Sequence, residues 1–213
     1  ASGLGSGPCW FVGALTAGVD QTDLYIEEGI WEHGFDADSK VRVQVRAMQT
    51  GERIAIKAAY IRKRDLPFET WGNTVSVMAI KAIGVIADNM GDGRRLRVHW
   101  QRVSPAREWY FYTYQATIWK VTPGDWKTDA LIDFAFQNKP QDFVRFCNDP
   151  FWRERFGTDP RQHKRFRWAR FYQAIADGLI SHRADRRPLI EFLQQLQSSV
   201  EGLGLLSGDQ FAD

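Results

Sequence analysis

The chain has 213 residues, 44% hydrophobic and 25% charged, with nine tryptophans and a formal net charge of +2. This is ordinary for a soluble globular protein with one good core or two small ones. It leaves no apolar run near the roughly 20 residues of a membrane-spanning helix and no charged segment ahead of an apolar leader, so a cytoplasmic protein with no membrane contact is expected.

The opening ASGLGSGP (1–8) reads as a small-residue linker or cloning scar. CWFVGAL, from Cys9, is a short apolar run and predicts a first strand. TDLYIEEGIWEHG spaces Leu24, Ile26, Ile30 and Trp31 in partly helical fashion, with Asp20 or Thr22 as N-cap and Gly34 as stop. In KVRVQVRAM, Val41, Val43 and Val45 alternate with polar residues, a period of two that says strand. GERIAIKAAYIRK and NTVSVMAIKAIGVI are β-rich runs split by a loop at Pro67 and Gly72, and RRLRVHW alternates again after the ADNMGDG turn. So many strands with turns between them predict a small, strongly curved sheet or barrel.

REWYFYTYQATIWKV (107–121) holds six aromatic residues in fifteen. Read as one strand, it puts Trp109, Phe111 and Thr113 on one face and Tyr110, Tyr112 and Tyr114 on the other. One face then fills a barrel, and the other lines a groove able to stack bases or is covered by later helices.

After Val121 the pattern turns helical. PGDWKTDALIDFAFQ carries Trp126, Leu131, Ile132 and Ala135 on one face behind Asp125, and two short helical pieces follow. From Arg161 a stripe of Trp168, Phe171, Tyr172, Ile175, Ala176, Leu179 and Ile180 predicts an amphipathic helix, repeated by Leu189, Phe192, Leu193, Leu196 and Val200. Between Arg153 and Arg187 ten basic residues face four acidic ones, a local +6 that suits a phosphate backbone or a solvated helix face.

Catalytic motifs are missing. There is no GxxxxGK[ST] loop and no GxSxG elbow, and His33, His99, His163 and His182 stand isolated. Cys9 and Cys147 lie far apart with no CxxC, so free thiols, no metal and no cofactor are expected. Asp149 and Glu154 lie among arginines without a second acidic cluster, which is too little for a nuclease site. A binding module, not an enzyme, is the expectation. Trp31, between Gly29 and Gly34, is either a packing residue or a wall of a pocket for a flat ring.

Taken together, CWFVGA, DQTDLYIEEGIWEHGF, GERIAIKAAYIRK, NTVSVMAIKAIGVI and REWYFYTYQATIWKVTPGDWKTDALIDFAF resemble the N-terminal region of McrB-type AAA+ proteins of modification-dependent restriction systems, over about Trp10 to Gly157. The strand, the helix ending in GIW and the GER strand are also similar to the EVE and YTH branch of PUA-like domains. The resemblance implies an α+β fold: a small curved PUA-like β-barrel with flanking helices over 9–158, then a helical appendage and linker over 159–213 towards an AAA+ module outside this chain. In that branch the segment before the GER strand is a helix, so the resemblance predicts a helix over about Ser39 to Met48, against the local alternation.

The implied function is recognition of a modified base in double-stranded DNA, with modified cytosine the foremost candidate, by flipping the base into an aromatic cage. This would be the specificity part of a restriction and defence system, with an AAA+ motor as partner and a nuclease subunit as a further candidate. Trp31 matches a cage wall of the YTH branch, and Ala14 and Leu15 match positions that read the base edge, although neither is polar. Asp20, Gln21 or Glu32 can supply polar contacts instead, and Lys57, Tyr60, Tyr114 and Trp119 are the remaining pocket candidates. Arg62, Lys63, Arg64, Lys164, Arg165 and Arg167 are the expected contacts to the DNA backbone. If Trp31 is a cage wall, Trp31→Ala should cut affinity and leave the fold intact. Two other readings stay open: a protein–protein assembly module of an AAA+ complex, and an RNA-binding PUA-like domain.

Overall fold

A computed structural model describes residues 7–33 and 39–158. Gly34, Lys164, Arg165, Arg167 and the two C-terminal amphipathic stripes lie outside the described residues. The described chain falls into two compact units. One holds the residues up to Asp65 together with Thr74–Gln141, and the other holds Leu66–Asn73 together with the chain from Asp142 on.

The first unit is α+β. Its elements are β1 (Cys9–Gly13), β2 (Leu15–Thr16), β3 (Val19–Asp20), α1 (Thr22–Glu28), β4 (Ile30–Glu32), α2 (Ser39–Ala47), β5 (Arg53–Arg62), β6 (Val75–Asn89), β7 (Arg95–Tyr110), β8 (Ile118–Val121) and α3 (Trp126–Gln137). Six strands form one curled sheet in the order β4-β7-β6-β5-β1-β8, with β2 and β3 as a separate hairpin. β1 runs parallel to β5, and every other neighbour is antiparallel. Register shifts at Ile56/Lys57, Ile80/Ala82 and Ile86/Asp88 interrupt the long ladders, and such bulges bend and twist a sheet.

β1 is buried on both faces, which is why its sequence is an unbroken apolar run. Trp10 and Val12 join Tyr25 of α1, Val45 of α2, Trp31, Ile54, Ile56 and Leu96 in one core. On the alternate side Phe11 meets Phe136 of α3, with ring centroids 5.9 Å apart, and Trp109 meets Phe134 at 5.1 Å. α3 is started by Asp125, whose carboxylate accepts from the Lys127 amide within a capping box closed by Thr128.

Three expectations change. α1 is stopped by Gly29 at φ 65°, a left-handed cap that glycine adopts freely, so Trp31 lies past the helix in β4. Asp20 is not the N-cap, since Gln21 holds that position, yet its Oδ1 accepts from the Thr22 amide at 3.0 Å. The aromatic stretch is not one strand. β7 ends at Tyr110, Phe111 turns the chain at φ 70°, and the strand that resumes at Ile118 pairs with β1 at the far edge of the sheet. The valine-rich segment, by contrast, is helical, in line with the helix expected over about Ser39 to Met48 and against its local alternation. Val41, Val45 and Met48, spaced i, i+4 and i+7, face the core, whereas Val43 points out and is 64% exposed.

The second unit contains α4 (Phe143–Asn148) and α5 (Arg153–Phe156). Its interior includes Phe146, Trp152 and Phe156, and Asn73 Nδ2 donates to the carbonyls of Thr70 and Arg155, both at 3.0 Å. Among the described residues no helix is long and apolar enough to cross a membrane.

Candidate nucleic-acid interface

The heavy tryptophan content is explained first by packing. Trp10, Trp31 and Trp109 are each fully buried, and each removes on the order of 150–250 Å² from water, a gross gain of roughly 4–6 kcal/mol. Their indole N–H groups are all used. Trp10 donates to Glu52 at 2.6 Å, Trp31 to the Gly13 carbonyl at 2.9 Å, Trp100 to the Ile30 carbonyl at 2.8 Å and Trp109 to the Tyr112 carbonyl at 2.7 Å. Each bond ties one segment to another, so these four rings are structural ties.

The place where Trp31 ends is nonetheless the one of interest. Gly13, the last residue of β1, accepts the Trp31 bond on its carbonyl and donates its own N–H to Thr117 at 2.7 Å. Its partner in register on β5 is Lys57, whose ammonium donates to the Ala116 carbonyl at 2.8 Å. Lys57 is 4% exposed, and burial pushes its pKa down to about 8. The end of β1 and Lys57 thus hold the 112–117 connection in place. Between that connection and α2 lies an open groove of about 520 Å³, lined by Lys40, Val43, Gln44, Tyr114, Ala116 and Ile118. Its lining combines a half-exposed phenol ring, an ammonium, a carboxamide and short apolar side chains. Its size falls in the roughly 300–1,000 Å³ range of small-ligand clefts.

Of the sequence-predicted pocket residues, Tyr114 alone lines this groove. Trp31 is 0% exposed, so the side chains of the core occupy the space a flat ring would need. Ala14 is buried, and its carbonyl accepts from the Gln21 amide at 2.8 Å. Leu15 is 65% exposed on the β2–β3 hairpin. The carboxylate of Asp20 is taken by Lys81 and Thr22. Burial alone would raise its pKa, and those bonds outweigh it and lower the value. Glu32 accepts from Arg95 Nε at 2.9 Å and Nη2 at 2.7 Å and so locks β4 to β7. Trp119 sits among Phe11, Tyr112 and Tyr114 at centroid distances of 5.7, 5.3 and 5.6 Å, an aromatic cluster that backs Tyr114.

Tyr60 and Arg62 belong to a different cluster. Tyr60 Oη donates to Glu108 at 2.5 Å, Tyr110 Oη donates to the same carboxylate at 2.7 Å, and Arg62 forks onto it through Nη1 and Nη2. Burial, then the Glu108 carboxylate, pushes the Tyr60 phenol up to about 12. Arg62 is therefore committed to Glu108 rather than offered to a phosphate. Lys63 and Arg64 are exposed and form no ion pair among the described residues.

Among the described residues no group of three or more His, Cys, Asp and Glu side chains could hold a metal ion. His33 is packed, with Nε2 3.0 Å from the Gly93 carbonyl. Burial pushes the thiols of Cys9 and Cys147 up to about 11, which leaves them poor nucleophiles. Asp149 Oδ1 accepts from the Phe151 amide at 2.9 Å and shapes a turn.

Sequence reasoning missed Lys40, Val43, Gln44, Ala116 and Ile118. None belongs to a motif, and α2 and the 112–117 connection lie some 70 residues apart in the chain. Fold and groove together define an α+β unit built on a curled six-stranded sheet, with a mixed aromatic and polar groove at the end of β1. The chain matches no protein-family profile and no curated protein.

Proposed function

We propose that this chain is a DNA-binding module that recognises a flipped, modified base, with a PUA-like sheet of the EVE and YTH kind. In this reading it is the specificity part of a modification-dependent restriction system of the McrB type. The observation that carries the reading is the groove at the end of β1, where Tyr114 offers a half-exposed ring for stacking and Gln44 offers polar contacts to a base edge. Lys63 and Arg64 are exposed cations suited to the phosphate backbone. Trp31 enters the mechanism indirectly, because it holds Gly13 and with it the strand end beside the groove.

The test is binding at fixed salt to duplexes of one sequence, unmodified or carrying a single 5-methylcytosine, 5-hydroxymethylcytosine, N4-methylcytosine or N6-methyladenine, with an RNA competitor. One modified duplex is expected to bind tightest, with an affinity that falls as salt rises. Tyr114→Ala should lower affinity for that duplex by roughly 1–3 kcal/mol, the usual worth of one base stacked on an aromatic ring. Equal binding to every duplex, or unchanged binding by the variant, would remove the groove from the reading.

A second reading, docking of a partner protein, has one observation of its own. The second unit carries an apolar groove of about 210 Å³ lined by Phe68, Trp71, Phe143, Val144, Cys147 and Phe156, among others, and Phe151 is 71% exposed. Protein capture that persists at high salt, with no DNA binding, would favour it.

A further inference from the structure

The β2–β3 hairpin has a design that the groove leaves unexplained. Its two turn residues, Ala17 at φ 51° and Gly18 at φ 81°, both lie in the left-handed region, as a two-residue type I′ turn requires. Cross-strand pairing sets Leu15 opposite Asp20 and Thr16 opposite Val19. Paired residues share a face, so Leu15 and Val19 project from opposite faces of the ribbon. Both are apolar and bare, 65% and 58% exposed.

The base of the ribbon is fastened. The Gln21 amide donates to the Ala14 carbonyl at 2.8 Å, Asp20 accepts from Thr22, and Lys81 of β6 pairs with Asp20. Nearer the tip the Thr16 side chain is hydrogen-bonded to Tyr25 of α1, while Leu15 and Val19 stand clear. A ribbon meant to lie on a partner protein or a lipid surface needs apolar side chains on one face. One with apolar side chains on both faces, stiff at the root and two residues wide at the turn, fits a slot with flat apolar walls above and below.

We propose that the β2–β3 hairpin is a wedge that enters a DNA base stack at the gap left by the target base, with Leu15 against one neighbouring base pair and Val19 against the other. The inference rests on the base-flipping reading above. It follows from that reading's cost, since unstacking a base must be offset by something that fills the gap, and apolar wedges between base steps do this in other duplex-bending proteins. Position supports it. Leu15 lies two residues beyond Gly13, which bonds to Thr117 beside the groove residues Ala116 and Ile118, so wedge and groove issue from one strand end. Two nearby acids are paired, Asp20 of β3 with Lys81 and Asp23 of α1 with Arg102 at 2.6 Å.

The test uses the whole chain with both exposed residues made polar, Leu15→Ser and Val19→Ser, and confirms an unchanged thermal melt. Binding is measured to the preferred modified duplex and to the same duplex with an abasic site opposite the modified base. 2-Aminopurine beside the target reports unstacking. The double variant is expected to lose on the order of tenfold on the paired duplex and far less on the pre-opened one, with the fluorescence rise reduced. Equal losses on both duplexes would overturn the wedge and make the hairpin an ordinary contact. Wild-type binding by the variant would overturn it too, while leaving the base-recognition reading intact. A wild-type chain with no preference among duplexes and no fluorescence change would overturn both.

Discussion

Replacing Trp31 by alanine is expected to destabilise the first unit by about 3–5 kcal/mol, the usual cost of deleting a large buried aromatic ring and leaving its cavity. The ring is 0% exposed in a core with Tyr25, Val45, Ile54 and Leu96, and its indole N–H is bonded to the Gly13 carbonyl. A urea titration reads the effect as a lower midpoint at unchanged slope. This revises the expectation, set by the match to a cage wall, that the variant would lose affinity with its fold intact. Trp31→Phe separates the contributions. It keeps most of the ring and leaves the Gly13 carbonyl without its donor, for a cost of about 1–3 kcal/mol. If Trp31→Ala unfolds at the wild-type midpoint, the ring is dispensable to the core and the cage role returns.

Lys57 gives the second large effect, in the pH dependence of stability. Its amine is pushed to about 8 in the folded chain, against an ordinary value of 10.5. Between those values the unfolded chain holds the proton more often than the folded one, so stability rises as pH climbs from about 8 to 10.5. At about 1.4 kcal/mol per pKa unit the rise is on the order of 2–3 kcal/mol. Lys57→Met has no proton to shed and should lack this contribution.

The measurement is the difference between wild-type and variant unfolding free energies across that range. Taking the difference cancels Cys9 and Cys147, whose raised pKa values act in the opposite direction in both proteins. A flat difference would mean that Lys57 is solvated. Because Lys57 holds the Ala116 carbonyl at the groove, the same variant should also loosen the groove wall, visible as faster amide exchange in 112–118.

An element is legible in the sequence to the extent that its cause is local. β1, β5 and β6 were legible because an unbroken apolar run and β-rich runs bounded by turns have few other uses. α3 was legible through Asp125, a cap whose effect reaches only three residues. α2 was not legible from its own residues. Val41, Val43 and Val45 satisfy a period of two, and only the resemblance pointed to a helix. The physical arbiter was Met48, which completes the helical face with Val41 and Val45 once a core exists to bury it. The aromatic stretch misled for a related reason. Nothing local announces that Phe111 adopts a positive φ, a conformation imposed by where the chain must go next.

The candidate site was less legible than the fold. Tyr114 is recognisable from its aromaticity, and it alone among the pocket candidates lines the groove. Asp20, Glu32, Tyr60 and Arg62 looked available as polar or basic side chains, yet each is engaged by a partner from a remote strand or a neighbouring residue. Residue type shows what a side chain can bond, and only the assembled neighbourhood shows what it does bond.

The sequence by itself determined a mixed α+β chain with a strongly curved sheet, a helical turn after Val121 and no recognisable catalytic motif, because periodicity, turn residues and motif spacing are properties of short segments. Tertiary structure decided that Trp31 is core, that Glu108 gathers Tyr60, Tyr110 and Arg62, and that Gln44 and Tyr114 share a groove. Those are consequences of sheet order, which brings β1 beside both β5 and β8, and sheet order is set by long-range pairing that no single stretch of residues contains.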